Sequence, residues 1–250
     1  MISFFRKNRK VGMRNNNTRI YLFYALGEII LVVVGILIAL QIDNWNQDRI
    51  ERKEEIYILN SFLVDMEKDI QFLDDIISST TERQKSVDSI FIILQNHKAY
   101  TLFDFLKHQE ALTVDDYFAP NQGTFDESKA SGKISFVENN ALREEIFDYY
   151  RRISKKWNND EANYKTTNDL IIPILIDEIG SSPEMVSAFS GFEATQLENL
   201  DLAQIAKNKN YYKALLYSTG DRYQIIEWTN TKNRAAKLKE NLAQELMKLK

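Results

Sequence analysis

The residues of this chain that could do chemistry are one glutamate inside an apolar segment and two histidines. Glu28 stands within residues 20–42. A carboxylate there could hydrogen-bond to a neighbouring helix as a polar clasp, carry a proton or an ion, or reach lipid headgroups. The chain has no cysteine, so a zinc site would need His97, His108 and carboxylates together. The histidines lie on either side of a predicted helix boundary. We therefore expect ordinary exposed histidines, no metal site and no cofactor.

Sequence signatures of known catalytic sites are missing. The chain contains no G-x-S-x-G motif and no glycine-rich phosphate loop. Adjacent acids, such as Asp74 and Asp75 or Glu144 and Glu145, are typical of solvated helix faces. The sequence therefore predicts a protein that is not an enzyme and has no catalytic or cofactor-binding residues. A small-molecule ligand stays unknown, and the tyrosines of the C-terminal half are expected to serve packing, with a peptide or glycan groove as the alternative.

The apolar run at residues 20–42 is predicted to be a transmembrane helix. Its 23 residues would extend about 34 Å, which is enough for a hydrocarbon core of about 30 Å. Fifteen Leu, Ile, Val and Phe residues contribute roughly 6 kcal/mol, against roughly 3 kcal/mol for the acid. Two alternatives are a buried helix of a soluble domain and a cleaved signal peptide. The first must bury residues 29–42 on all sides, and the second lacks a small-x-small cleavage pattern.

The distribution of basic residues predicts the orientation. Six Lys and Arg residues precede the span and three follow it within fifteen residues. The basic side of a single span stays in the cytoplasm, so residues 1–19 form a basic cytoplasmic tail and 43–250 lie outside. The lipid bilayer is thus the first expected partner. A net charge of −4 argues against a general nucleic-acid binder.

Several residues of the span share one helical face. At 100° per residue, Tyr21, Tyr24, Glu28, Gly35 and Ala39 fall within about 60° of one another. Gly35 and Ala39 form a small-xxx-small pair, which lets two helices approach closely. This face is the predicted membrane-helix interface, with a homo-oligomer or a partner membrane protein on the other side.

Beyond the span, apolar residues recur with heptad spacing. The frame predicts one long helix over 43–97 whose seam needs partner helices. The seam comprises Ile56, Leu59, Leu63, Met66, Ile70, Leu73, Ile77, Thr80, Gln84, Val87, Phe91 and Leu94. Candidate partners lie in the same chain, so we expect an all-α protein whose transmembrane helix continues into an up-and-down bundle. The remaining predicted segments are an irregular region 98–138, with short helices at 101–109 and 124–131 and an extended "GKISFVEN", and helices at 140–180, 201–218 and 221–249.

Two segments resemble a known family. The anchor "YALGEIILVVVGILIALQIDNWN", preceded by "MISFFRKNRK", is similar to the signature GEIxLVxxGILIALQIxNWN of an uncharacterised family of Bacteroidetes proteins. Asp43 stands where that family usually has Asn. The segment "FDESKASGKISFVENNALREEIFDYY" resembles a second signature of the same family. The resemblance implies a single-span inner-membrane protein with a helical periplasmic domain and no known activity. It also implies that Glu28 belongs to a recurring motif, which favours the clasp.

The sequence therefore predicts a membrane-anchored binding or scaffold protein that associates through its membrane and heptad faces. One alternative is a subunit of an ion-driven envelope complex that uses Glu28. Another is a sensor that lacks its own output domain. Glu28→Gln separates the first two, because an amide still forms hydrogen bonds but cannot carry a proton.

Overall fold

The computed structural model describes residues 18–114, 116–180, 182–193, 195 and 198–249, without the side chains of 18–21, 154–163 and 189. These residues form helices and, within the described ranges, no strand, which confirms the all-α class. The chain divides into two compact units, Met1–Glu54 and Glu55–Lys250.

The longest helix, α1, runs without a break from Thr18 to Gln95. The later α-helices are α2 Leu102–Leu106, α3 Gly123–Ala130, α4 Asn140–Thr166, α5 Ile172–Leu175, α6 Pro183–Ser190, α7 Leu202–Ile205, α8 Lys209–Ser218 and α9 Asp221–Leu249. Short 3₁₀ turns occupy His97–Ala99, Gln109–Leu112 and Lys133–Phe136, and π-helical turns occupy Thr167–Ile171 and Ile176–Gly180.

The heptad seam of α1 faces the interior of the Glu55–Lys250 unit. Every member of the seam is buried or half-buried, and Leu59, Met66 and Leu73 are completely inaccessible. These three pack in one core with residues of α4 and α9, including Ile146 and Leu242. The seam is therefore covered by later helices of the same chain, because burying it removes a long apolar stripe from water.

A second core surrounds the far end of α1. It joins Val87, Ile90 and Leu94 to the short elements that follow. Its other buried members are Ile93, Phe105, Leu112, Ile171, Leu175, Ile179, Ile205, Tyr211, Ala214 and Leu215. Two cores along one long helix explain why the short α2, α5, α7 and α8 are ordered: tertiary packing, rather than their own length, stabilises them.

Three segments differ from the sequence-based expectation. Residues 133–136 of "GKISFVEN" form a 3₁₀ turn rather than an extended run. The helix expected over 140–180 stays helical but changes to π-helical turns on both sides of Pro173. There Ile172 donates its N–H to the carbonyl of Thr167, and Pro173 has no N–H to donate. The helix expected over 201–218 is broken before Asn208, whose side chain caps α8 by accepting from two backbone N–H groups.

Gly132 follows the end of α3 with φ of +73°, a left-handed conformation that side chains with a Cβ disfavour. We expect Gly132→Ala to lower the free energy of unfolding by about 1 kcal/mol. Gly123→Ala is the matched control. That residue begins α3, and an added Cβ there would have no heavy atom within 4 Å, so the change should be neutral or slightly stabilising. Urea unfolding of both variants measures the contrast, and equal effects would contradict the assignment of Gly132 as a left-handed cap.

Candidate functional site on the exposed face of α1

The N-terminal part of α1 is an apolar helix that the described part of the chain leaves uncovered. Large apolar side chains from Leu22 to Ile42 are about half or more exposed. Among the described residues, one helix is long and apolar enough to cross a membrane, by length and composition, and it lies near the N-terminus. A continuous exposed apolar stretch is costly in water and favourable in hydrocarbon, so this segment is the candidate membrane anchor.

The predicted interface residues lie on this uncovered stretch. Tyr24 is 53% exposed, and Glu28, Gly35 and Ala39 are exposed as well. A Cβ added to Gly35 would meet no heavy atom within 4 Å, so none of the described residues lies against this position. Tyr21 lies in α1, but its side chain is outside the described residues. Continuous α-helical geometry places the other four on one face; association through this face stays a prediction.

An aromatic–cation pair follows the apolar stretch. The guanidinium carbon of Arg49 lies 5.8 Å from the ring centroid of Trp45, within the range of a cation–π contact. Trp45 is 66% exposed, and Arg49 also donates a hydrogen bond to Asn46 at 3.3 Å. Tryptophan beside a basic residue is typical of the membrane–water boundary. Sequence reasoning missed this pair, although its i,i+4 spacing on a helix was a usable signal.

The Glu55–Lys250 unit contains an ion cluster in which a buried arginine pairs with two half-buried carboxylates. Arg83 on α1 donates from Nη1 to Asp116 Oδ2 at 2.7 Å and from Nε to Asp221 Oδ2 at 2.8 Å. Its side chain is only 6% exposed. Thr80 and Ser79 also donate to Asp116 Oδ2, at 2.8 and 2.9 Å. The cluster thus connects α1, the segment before α3 and the first residue of α9. In the sequence, the one indication of this cluster was the polar residue Thr80 at a position of the otherwise apolar heptad seam.

A completely buried acid lies about three to four turns before this cluster on α1. Asp69 is completely buried and accepts three hydrogen bonds, each of 2.8 Å. Two come from the backbone and side-chain nitrogens of Asn121, and one comes from the hydroxyl of Tyr149. Burial raises the pKa of Asp69 above its ordinary value. The hydrogen bonds from Asn121 and Tyr149 lower this pKa, and the nearby Asp65 raises it. Burial likewise raises the pKa of the Tyr149 hydroxyl.

The two histidines lie beside short turns: His97 begins the His97–Ala99 turn, and His108 precedes the Gln109–Leu112 turn. His97 and His108 are each half-buried rather than fully exposed, and burial, assisted by Lys107, lowers the pKa of His108. Among the described residues, no group of three or more His, Asp or Glu side chains is placed to hold a metal ion.

Comparison with known proteins gives one match. No curated protein and no solved structure matches the chain. The model of a family of unknown function, DUF6090, matches residues 28–171, which is more than half of the 250 residues. The match begins at Glu28, continues through the long helix and ends in the first π-helical turn, so it includes Asp69, Arg83 and Asp116 but not Asp221. The chain therefore belongs to the DUF6090 family of proteins of unknown function.

Proposed function

We propose that this protein is a membrane-anchored helical protein that acts by binding rather than by catalysis. In this proposal, residues 20–42 cross the inner membrane, 1–19 lie in the cytoplasm and 43–250 form the periplasmic part. The observation that carries it is the uncovered apolar stretch of α1 with a single carboxylate inside it. The excess of basic residues before the stretch supports the orientation, and Trp45 with Arg49 would mark the outer boundary.

The membrane face is the proposed site of association. The heptad seam was the other expected face, but it is buried within the chain's own cores and so does not offer a surface to a partner. Gly35 and Ala39 permit close backbone approach of a second transmembrane helix. We infer that the second helix belongs to another copy of this chain or to a partner membrane protein.

Glu28 would act as a polar clasp in that association. An isolated carboxylate in lipid is unfavourable, and hydrogen bonding to a side chain such as Tyr24 on a neighbouring helix reduces the cost. The clasp needs only hydrogen-bonding capacity, so it does not require Glu28 to change its protonation state. No specific feature of the described residues favours the ion-driven alternative.

Cysteine crosslinking tests the face directly, because the chain has no cysteine of its own. We expect Ala39→Cys to form intermolecular disulfides in native membranes at least about tenfold faster than Leu37→Cys, which lies on the opposite side of the helix. Both variants are assayed by non-reducing electrophoresis after mild oxidation. Equal rates, or faster reaction at Leu37, would contradict the proposed face.

Substitutions of Glu28 in the Ala39→Cys background then test the clasp. Glu28→Gln should leave crosslinking nearly unchanged. Glu28→Leu should reduce it about threefold, as expected for the loss of one interhelical hydrogen bond in a membrane. A Gln variant that fails to associate would instead indicate that the carboxylate itself is required.

A further inference from the structure

An exposed apolar stripe follows the candidate membrane anchor on α1. We call it the outer stripe; it consists of Ile50, Tyr57 and Val64, which are 45%, 69% and 44% exposed. The three residues repeat every seven positions, so in an α-helix they lie on one side. The buried heptad seam lies on the other side, where Leu59 and Met66 are completely inaccessible. The outer stripe is therefore a second apolar surface of α1, which the described residues leave open to solvent.

The outer stripe has a defined end. The next positions with the same spacing are Gln71, Ser78 and Lys85, and each of them is polar and exposed. Single apolar side chains scattered over a protein surface need no explanation. Three successive apolar positions followed by three polar ones instead indicate a surface that is covered over a limited length, about 20 Å from Ile50 to Val64.

The outer stripe continues the proposed membrane face. At 100° per residue, each of its three residues falls within about 20° of Ala39 on the helical wheel. No break separates these positions, because α1 is α-helical from Thr18 to Gln95. A second helix that packs against Ala39 and leaves the membrane on the same side would therefore reach the outer stripe as well.

A second copy of this chain meets the requirements for the occupant. The occupant needs a transmembrane helix that continues for about six turns beyond residue 42, and α1 itself has this form. Two parallel copies related by a two-fold axis place each residue of the stripe opposite itself. Lys53 and Glu54 flank the stripe on opposite sides, so each Lys53 comes next to Glu54 of the second copy. A parallel pair thus brings opposite charges together at its edges.

We propose that the outer stripe packs against the same stripe of a second copy, in a parallel dimer that extends from the membrane to Val64. This inference rests on the proposed membrane association and names its partner. Three side chains from each copy bury much less than the ~1,200 Å² of a stable interface. The stripe therefore strengthens and orients a pair that the membrane anchors already hold together.

Cysteine crosslinking in native membranes tests the dimer. Ile50→Cys and Tyr57→Cys should each form intermolecular disulfides at least about tenfold faster than Asp48→Cys. Asp48 is the matched control because it is exposed and close to Ile50 along α1 but lies on the opposite side of the helix. The product should have twice the mass of the chain and contain both of two differently tagged copies. Disulfides with a different protein in place of this product would overturn the second copy as the occupant.

Ala39→Cys separates the failure of this inference from the failure of the proposed function. If Ala39→Cys crosslinks while the stripe variants react no faster than Asp48→Cys, the outer stripe does not pair, and the membrane association stands. If none of these variants crosslinks, both proposals fail.

A charge swap tests whether Tyr57 faces its own counterpart. Tyr57→Glu and Tyr57→Lys, each in the Ala39→Cys background and with its own tag, are expressed together. Like charges at position 57 repel across the pair and opposite charges attract, so mixed disulfides should outnumber the like-charged products about threefold. Because Tyr57 is exposed, the changes leave the cores intact. The same swap at Ser78, beyond the stripe, should give random pairing, with equal amounts of the two kinds of product. Random pairing at position 57 would overturn the proposal.

Discussion

Replacing Arg83 with methionine is expected to lower the free energy of unfolding by about 3–5 kcal/mol. The variant leaves the carboxylates of Asp116 and Asp221 in a poorly solvated site without their cation. Burial already raises the pKa of Asp221, with Arg83 opposing this, so removing the arginine raises it further. A folded-state pKa above the unfolded value favours the folded state only when the pH is low. The loss of unfolding free energy in Arg83→Met, relative to wild type, should therefore be smaller at about pH 5 than at about pH 8. Urea unfolding of the full chain in detergent micelles, followed by tryptophan fluorescence, measures both effects.

The neighbouring ion pair provides the matched control for Arg83. Arg222 pairs with Asp88, but the two side chains are 58% and 44% exposed. Arg222→Met should therefore cost no more than about 1 kcal/mol. Neutralising the whole ion cluster, as in Arg83→Met with Asp116→Asn and Asp221→Asn, should recover most of the lost stability. If the two arginine variants were equally stable, the ion cluster would have no special structural role.

Replacing Asp69 with alanine is expected to cost about 3 kcal/mol. The change removes the carboxylate that accepts from the side chain of Asn121 and from the hydroxyl of Tyr149, and among the described residues no other acceptor reaches these donors. Asp75→Ala is the control on the same helix. Asp75 is exposed, so its loss should change stability by less than about 0.5 kcal/mol. The same urea unfolding measures both variants.

Asparagine at position 69 distinguishes hydrogen bonding from charge. The amide oxygen of Asp69→Asn can still accept from Asn121, and the Tyr149 hydroxyl can rotate to accept from the amide nitrogen. We expect a loss of less than about 1 kcal/mol at neutral pH. Because the pKa of Asp69 is raised in the folded state, wild type should gain stability relative to Asp69→Asn as the pH falls below that pKa. A gain on raising the pH would contradict the raised pKa.

The sequence predicted the elements that depend on local spacing. The heptad spacing of Leu59, Met66 and Leu73 predicted the helix α1. Gly132 predicted where α3 ends. The wheel of Tyr24, Glu28, Gly35 and Ala39 likewise requires only a continuous helix. Where short-range chemistry competed with the periodicity, the prediction was less accurate. π-helical turns flank Pro173, and the side chain of Asn208 caps the start of α8 within a segment predicted as one helix.

The polar clusters could not be predicted in the same way. Arg83 meets Asp116 33 positions away and Asp221 138 positions away, and no local periodicity links residues at such separations. Asp69 is bound by Asn121, which is 52 positions away. Thr80 and Gln84 within the seam showed that something polar was buried there, but not which side chains it would meet.

The packing of the heptad seam against α9 has a consequence for biogenesis. The stripe from Leu59 to Leu73 is translated early, whereas its cover includes Leu238, Leu242 and Leu246 of the last described helix. During synthesis, roughly two hundred residues must emerge after this apolar stripe before α9 can cover it. Until α4 and α9 have been synthesised and packed, this apolar stripe is exposed and prone to aggregation.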